Sequence, residues 1–158
     1  MTTIISRKQV VARARKYIGT PFVHQGRALG RGVDCVGLVL CVAEDLGLLD
    51  TLGKAFKRSD YGAYGRQPVN EFIYEECERR LQVIAPTGGI IPSLLPGDVL
   101  CLRVPAVACH LAIVTALQGG LGIVHAYAGA GKVVEHTLDA KWIKRIAGVF
   151  SFPGITNG

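Results

Sequence analysis

The chain has 158 residues, 49% of them hydrophobic and 19% charged, with a net charge of +6. That length and balance suit one folded domain and exclude an intrinsically disordered chain. No run of 18 apolar residues occurs, which excludes a transmembrane helix.

Residues 6–18 read as an amphipathic helix, with Ser6 as N-cap and Val10, Ala14, Tyr17 and Ile18 on one face. Gly19 stops it. Residues 19–33, "GTPFVHQGRALGRGV", hold four glycines and a proline and read as a loop. Residues 35–47 form a second helix, apolar almost all round, as a centrally buried helix would be. Residues 48–67 look irregular and are a candidate lid or insertion; "SDYGAYGRQP" within them has turn composition and two tyrosines read as exposed. A third helix spans 69–81, with Val69, Phe72, Ile73, Cys77 and Leu81 inward and Glu71, Glu75, Glu78 and Arg79 outward. "APTGGIIPSLLPGD" is a loop. After it, "VLCLRV", "HLAIVTAL", "GIVHAYA", "KVVEHT" and "RIAGVFSF" read as about five antiparallel strands, with a hairpin turn at "QGG". "AGAGK" at 128–132 lacks the Walker spacing and reads as a second hairpin. Helices first and a sheet second define an α+β fold with no internal repeat.

The start, "MTTIISRKQVVARARKYIG", has no signal-peptide core, so synthesis in the cytosol is expected. Five cysteines without a CxxC pair do not suggest a disulfide framework. Cys41, Cys77, Cys101 and Cys109 lie in apolar runs and read as core. Basic residues gather at Arg7, Lys8, Arg13, Arg15 and Lys16 and at Lys141, Lys144 and Arg145. Such a surface suits anionic polymers or none; no nucleic-acid-binding motif accompanies it.

The chemistry concentrates in a few places. "GRGVDCVGLVLCV" sets Cys35 at the first turn of a buried helix, where the helix dipole favours a thiolate. Asp34 before it reads as the N-cap. Residues 104–131 contain no Asp, Glu, Lys or Arg, yet hold His110 and His125 on two strands joined by one hairpin. Antiparallel pairing brings these imidazoles side by side, within a residue or two of register. A thiol at a helix start, one histidine and a second to orient it are the parts of a cysteine nucleophile. His136 in "VVEHT" is an alternative third member. A zinc site on Cys35, His110 and His125 lacks the close ligand spacing such sites use, so no metal and no cofactor is expected.

The ordered series "GTPFVHQG", "DCVGLV", "LPGDVLCL", "CHLAIV" and "GIVHA" resembles the NlpC/p60 family of papain-like cell-wall cysteine peptidases, in its phage- and prophage-encoded branch. The resemblance covers most of residues 10–150. It implies a papain-like fold with N-terminal helices on a five- to six-stranded antiparallel sheet. It also implies Cys35 as nucleophile, His110 as general base and then acid, and His125 as the residue orienting His110. The implied reaction is hydrolysis of an amide in the peptidoglycan stem peptide, typically the D-γ-glutamyl to diamino-acid bond, at the cell wall. Phage tail proteins are the implied partners and virion association the implied setting. Two positions depart from the pattern: Phe22 stands where many relatives carry tyrosine, and Val36 where many carry serine. His24, with Gln25, stands where many carry Trp and Gly, and is a candidate polar contact. Two other readings keep the fold: a catalytically silent tail-assembly protein, and an acyltransferase.

Overall fold

The computed structural model describes residues 4–62, 72–85, 93–104 and 108–158, with the side chains of 108 and 109 outside the description. Among the described residues, four helices and a six-stranded, wholly antiparallel sheet make the α+β fold expected. The helices are α1 (Arg7–Arg15), α2 (Cys35–Asp45), α3 (Phe72–Arg80) and α4 (Ala140–Ile143). The sheet runs in the order β3 (Gln82–Ala85), β8 (Ile146–Ser151), β4 (Val99–Arg103), β5 (Ala108–Leu117), β6 (Gly120–Tyr127), β7 (Lys132–Thr137). All five strands expected from the sequence are present. The sixth, β3, is an edge strand that periodicity did not reveal: three of its four residues are exposed, so it carries no alternating apolar pattern. The glycine-rich loop after α1 also contains a short hairpin, β1 (Arg27–Ala28) with β2 (Gly32–Val33).

α1 begins as expected. Ser6 accepts from the Gln9 N–H while the Gln9 side chain accepts from the Ser6 N–H, a complete capping box. The helix ends at Arg15, before the expected 18, and Ile18 is 44% exposed instead of inward. α2 is buried from Val36 to Ala43 because it is covered on all sides. α3 buries Ile73 and Cys77, but Phe72, expected inward, is largely exposed and meets the Tyr61 ring edge-on. Tyr74 and Arg80 are buried in its place. Val69 and Glu71 lie outside the described residues.

Arg80 explains how residues 48–62 are held. Its guanidinium donates to Asp50 at 2.8 Å and Asp60 at 2.9 Å and lies 4.4 Å over the Phe56 ring. The Tyr61 hydroxyl, read as exposed, bonds Glu76; Tyr64 lies outside the described residues. Buried ion pairs with this many partners hold register more than they add stability. The basic cluster of α1 is likewise tied inward: Arg7 to Asp98 at 2.7 Å, Arg13 to Asp45 at 2.9 Å, Arg15 to Glu135 at 2.9 Å. Three of its five cations therefore pair with acidic residues of the same chain, while Lys8 and Lys16 are exposed.

Strand alternation divides the core in two. Leu111 and Ile113 of β5 and Val124 and Ala126 of β6 face the helices; Ala112, Val114 and Ile123 face the other way, toward Leu138 and Trp142. The β5–β6 turn falls at Gln118–Gly119, within the expected "QGG", with Leu117 opposite Gly120 and Gly119 at φ 93°. "AGAGK" is a hairpin as expected: a single 3-10 turn, Ala128–Ala130, links β6 to β7. Among the described residues no helix is long and apolar enough to cross a membrane.

Candidate active site

Cys35 opens α2. Asp34 caps it, accepting from the Gly37 N–H at 2.8 Å. The other Asp34 oxygen accepts from the Gln25 N–H at 2.8 Å, and Arg27 pairs with the carboxylate at 3.1 Å. A 4% exposed carboxylate with these partners welds the loop at 25–27 to the helix start. A role in capping the helix or fixing the loop was legible at Asp34; its partners Arg27 and Gln25 were not, because their contact depends on the β1–β2 hairpin. Gln25 takes φ 61°, a strained conformation for a non-glycine residue, to aim its N–H at Asp34.

Gly37 sits in the tightest place. A Cβ there would lie 2.1 Å from the Gly26 carbonyl oxygen and 2.9 Å from the Arg27 guanidinium. Gly37→Ala is expected to cost about 3 kcal/mol or more, because the obstacle is backbone that cannot move aside. A urea midpoint shifted by less than a third of that would show the loop to be slack.

Phe22 is half-buried against the core and bridges Val33 in parallel, two residues ahead of Cys35. His24 is half-buried in the turn that follows. Val36 is buried and lines a small apolar cavity of about 50 Å³ with Phe56, Tyr61, Ile73 and Leu111. Val36 and Leu111 are the residues that follow Cys35 and His110, so the start of α2 lies beside the start of β5. Cys35 itself is half-buried at the helix-side core.

The two histidines meet. The β5–β6 register sets His110 and His125 as diagonal neighbours on one face, and His110 Nε2 lies 2.7 Å from His125 Nδ1. That face is the one carrying Ala112 and Val114, opposite the side chains on which α2 packs. Among the described residues the hydrogen bond of His110 goes to His125, not to Cys35. The Tyr127 ring stacks on His125 at 5.2 Å, and Trp142 meets it edge-on at 5.1 Å. Tyr127 was findable, being two residues from His125 on the same strand face. Trp142 was not, since it arrives from the turn after β7. His136 does not replace His125: its Nε2 lies 2.8 Å from His125 Nε2, making it a fourth member. Cys109, expected to face away from His110, lies outside the described side chains.

Burial, with the charge of Arg145 added, pushes His110 down to about 4. Burial, then the neighbouring His110 and His136, push His125 down to about 3. Both rings are therefore neutral at physiological pH. The apolar strand face penalises the charge of an imidazolium there.

A helix opened by a thiol, packed on an antiparallel sheet that carries a histidine pair, is the architecture of the papain-like class of fold. Within it the chain has the NlpC/p60 fold. It superimposes on the NlpC/p60 domain of the peptidoglycan hydrolase SagA with a TM-score of 0.57 and 23% identity, over 94% of this chain and all of that one. An NlpC/p60 family protein from Bacillus cereus gives 0.61 and 15%, over 95% of this chain, which spans 41% of that protein. An N-acetylmuramoyl-L-alanine amidase from Bacteroides uniformis gives 0.54 and 13%, over 91% and 96%. No protein-family model and no curated protein matches the chain.

Proposed function

We propose that the chain is a cysteine hydrolase of the NlpC/p60 kind, acting on an amide of the peptidoglycan stem peptide. The observation that carries this is the hydrogen-bonded His110–His125 pair, placed at the start of the strand that lies beside the first residue of α2, Cys35. The likeness to a peptidoglycan hydrolase domain and to an amidase supports the same substrate class. Cys35 Sγ attacks the carbonyl carbon and its proton passes to His110 Nδ1. Backbone N–H groups at the start of α2 receive the oxyanion. The amine leaves with the proton from His110, and water releases the acyl group. The bond assigned is the D-γ-glutamyl to diamino-acid amide, in one peptidase domain working at the cell wall within a phage tail or prophage. Residues 48–62 form one wall of the cavity beside Val36, a position that suits a substrate-facing lid.

Purified muropeptides digested with wild type and separated by mass spectrometry are expected to yield split stem peptides; Cys35→Ala is expected to yield none. Products that persist with Cys35→Ala would end the cysteine assignment. A second reading, a tail-assembly protein without turnover, is favoured by one observation: His110 alternates onto the sheet face opposite α2. No cleavage by wild type, with the fold intact, would establish that reading.

A further inference from the structure

Three histidines form a stripe across β5, β6 and β7. His110 Nε2 lies 2.7 Å from His125 Nδ1, His125 Nε2 lies 2.8 Å from His136 Nε2, and His136 Nδ1 lies 2.9 Å from the Thr137 carbonyl oxygen. The chain thus ends on a group that can only accept.

That end decides every proton in the row. The Thr137 carbonyl has no hydrogen to give, so His136 Nδ1 carries one. At mildly alkaline pH, a neutral His136 has a single N–H, so its Nε2 is bare and accepts. His125 Nε2 must then hold the proton of the second link, which leaves His125 Nδ1 bare. His110 Nε2 must hold the proton of the first link, which leaves His110 Nδ1 bare. Burial favours the neutral form of both inner rings: His125 is fully buried against Tyr127 and Trp142, and His110 packs edge-on to Tyr127.

We propose that His136 is a positioning residue: it carries the polarity of the Thr137 carbonyl through His125 and so holds His110 in the tautomer whose Nδ1 is free to take a proton. The catalytic use of that nitrogen rests on the cysteine-hydrolase reading; the tautomer order does not. It also gives the third histidine more to do than hold an angle. Without a fixed far end, His125 can equally present its own N–H to His110, and His110 would then hold its hydrogen on Nδ1, where a base needs a lone pair.

The test is nitrogen-15 NMR of the histidine side chains in the intact protein at mildly alkaline pH, where bare and protonated ring nitrogens separate widely. Wild type is expected to show protonated Nε2 at His110 and His125 and protonated Nδ1 at His136. In His136→Phe the His110 signals are expected to move toward a mixture of tautomers. His136→Gln, whose amide oxygen can still accept from His125, is expected to keep the wild-type pattern. If muropeptide hydrolysis is present, His136→Phe should lower kcat about tenfold with KM unchanged, and His136→Gln should restore most of it. A wild-type His110 protonated at Nδ1 would overturn the proposal with no variant needed. An unchanged His110 pattern in a folded His136→Phe would overturn it too. Both outcomes are read on resting protein, so they stand apart from any failure to find hydrolysis.

Discussion

Replacing His110 by alanine is expected to lower kcat/KM for muropeptide hydrolysis by roughly 10³-fold, the usual worth of a positioned general base. It should also slow alkylation of Cys35 while leaving the other thiols as they were. The argument rests on how differently the cysteines are placed. Cys41 and Cys101 are fully buried and Cys77 is 5% exposed. Burial pushes the Cys41 thiol up, and its hydrogen goes to the Arg27 carbonyl at 3.4 Å. None of these three has cause to react in the folded protein. Cys35 is half-exposed at a helix start, where the dipole favours a thiolate. On the proposed reading a neutral His110 adds to this by accepting the thiol proton. Peptide mass spectrometry after timed exposure to iodoacetamide would separate the sites. If Cys35 labels no faster than Cys77, or equally fast in wild type and His110→Ala, the imidazole does not serve the thiol and the silent reading prevails. For the wild type to show the dependence, His110 Nδ1 must come within reach of Cys35 Sγ from the far face of the sheet. The bulge in the β4–β5 pairing between Leu102 and Arg103 sits at that end of the strand. A bulge is a device for re-aiming a side chain at a strand end.

The sequence was most readable where one residue type carries one physical demand. Ser6 with Gln9, and Asp34 ahead of an apolar helix, announce helix starts because orphan N–H groups need acceptors. The five central strands announce themselves because β-branched runs between glycines have few other uses. The paired histidines followed from one hairpin, and a register open by a residue or two did not undo them, since a diagonal pair still shares a face. What stayed hidden depends on distant partners. β3 is an edge strand with exposed side chains, so only its hydrogen bonds to β8 define it. Arg80 looks like a solvated helix end until Asp50, Asp60 and Phe56 surround it. His136 was visible as a candidate third member, but its place as fourth required the β6–β7 register. The face on which His110 lies could not be read at all, because alternation says which residues share a face and not which face meets the helices.

Between pH ~7.5 and ~5 the protein is expected to lose about 4 kcal/mol of stability, roughly 2 from each of His110 and His125. The ordinary histidine value is 6.5, and the fold pushes His110 to about 4 and His125 to about 3. In the unfolded chain both rings take up protons as pH falls through 6.5, while in the fold they stay neutral. The unfolded state therefore binds more protons below 6.5. Stability is greatest above that value, declines as pH drops toward 4 and 3, and levels off beneath them. The carboxylates occupy a lower window. Glu44, held down by hydrogen bonds from the Arg58 backbone and side chain, and Glu76, held down by Arg79, begin to weaken the fold only below their ordinary 4.5. The interval from 6.5 to 5 thus reports on the histidine pair. Urea midpoints across it should fall in wild type and fall about half as far in His125→Gln, whose amide adds no proton. A flat profile over that interval would mean that the imidazoles can charge inside the fold. The site would then rest as an ion pair with the thiol, and the neutral-base route would have to be abandoned.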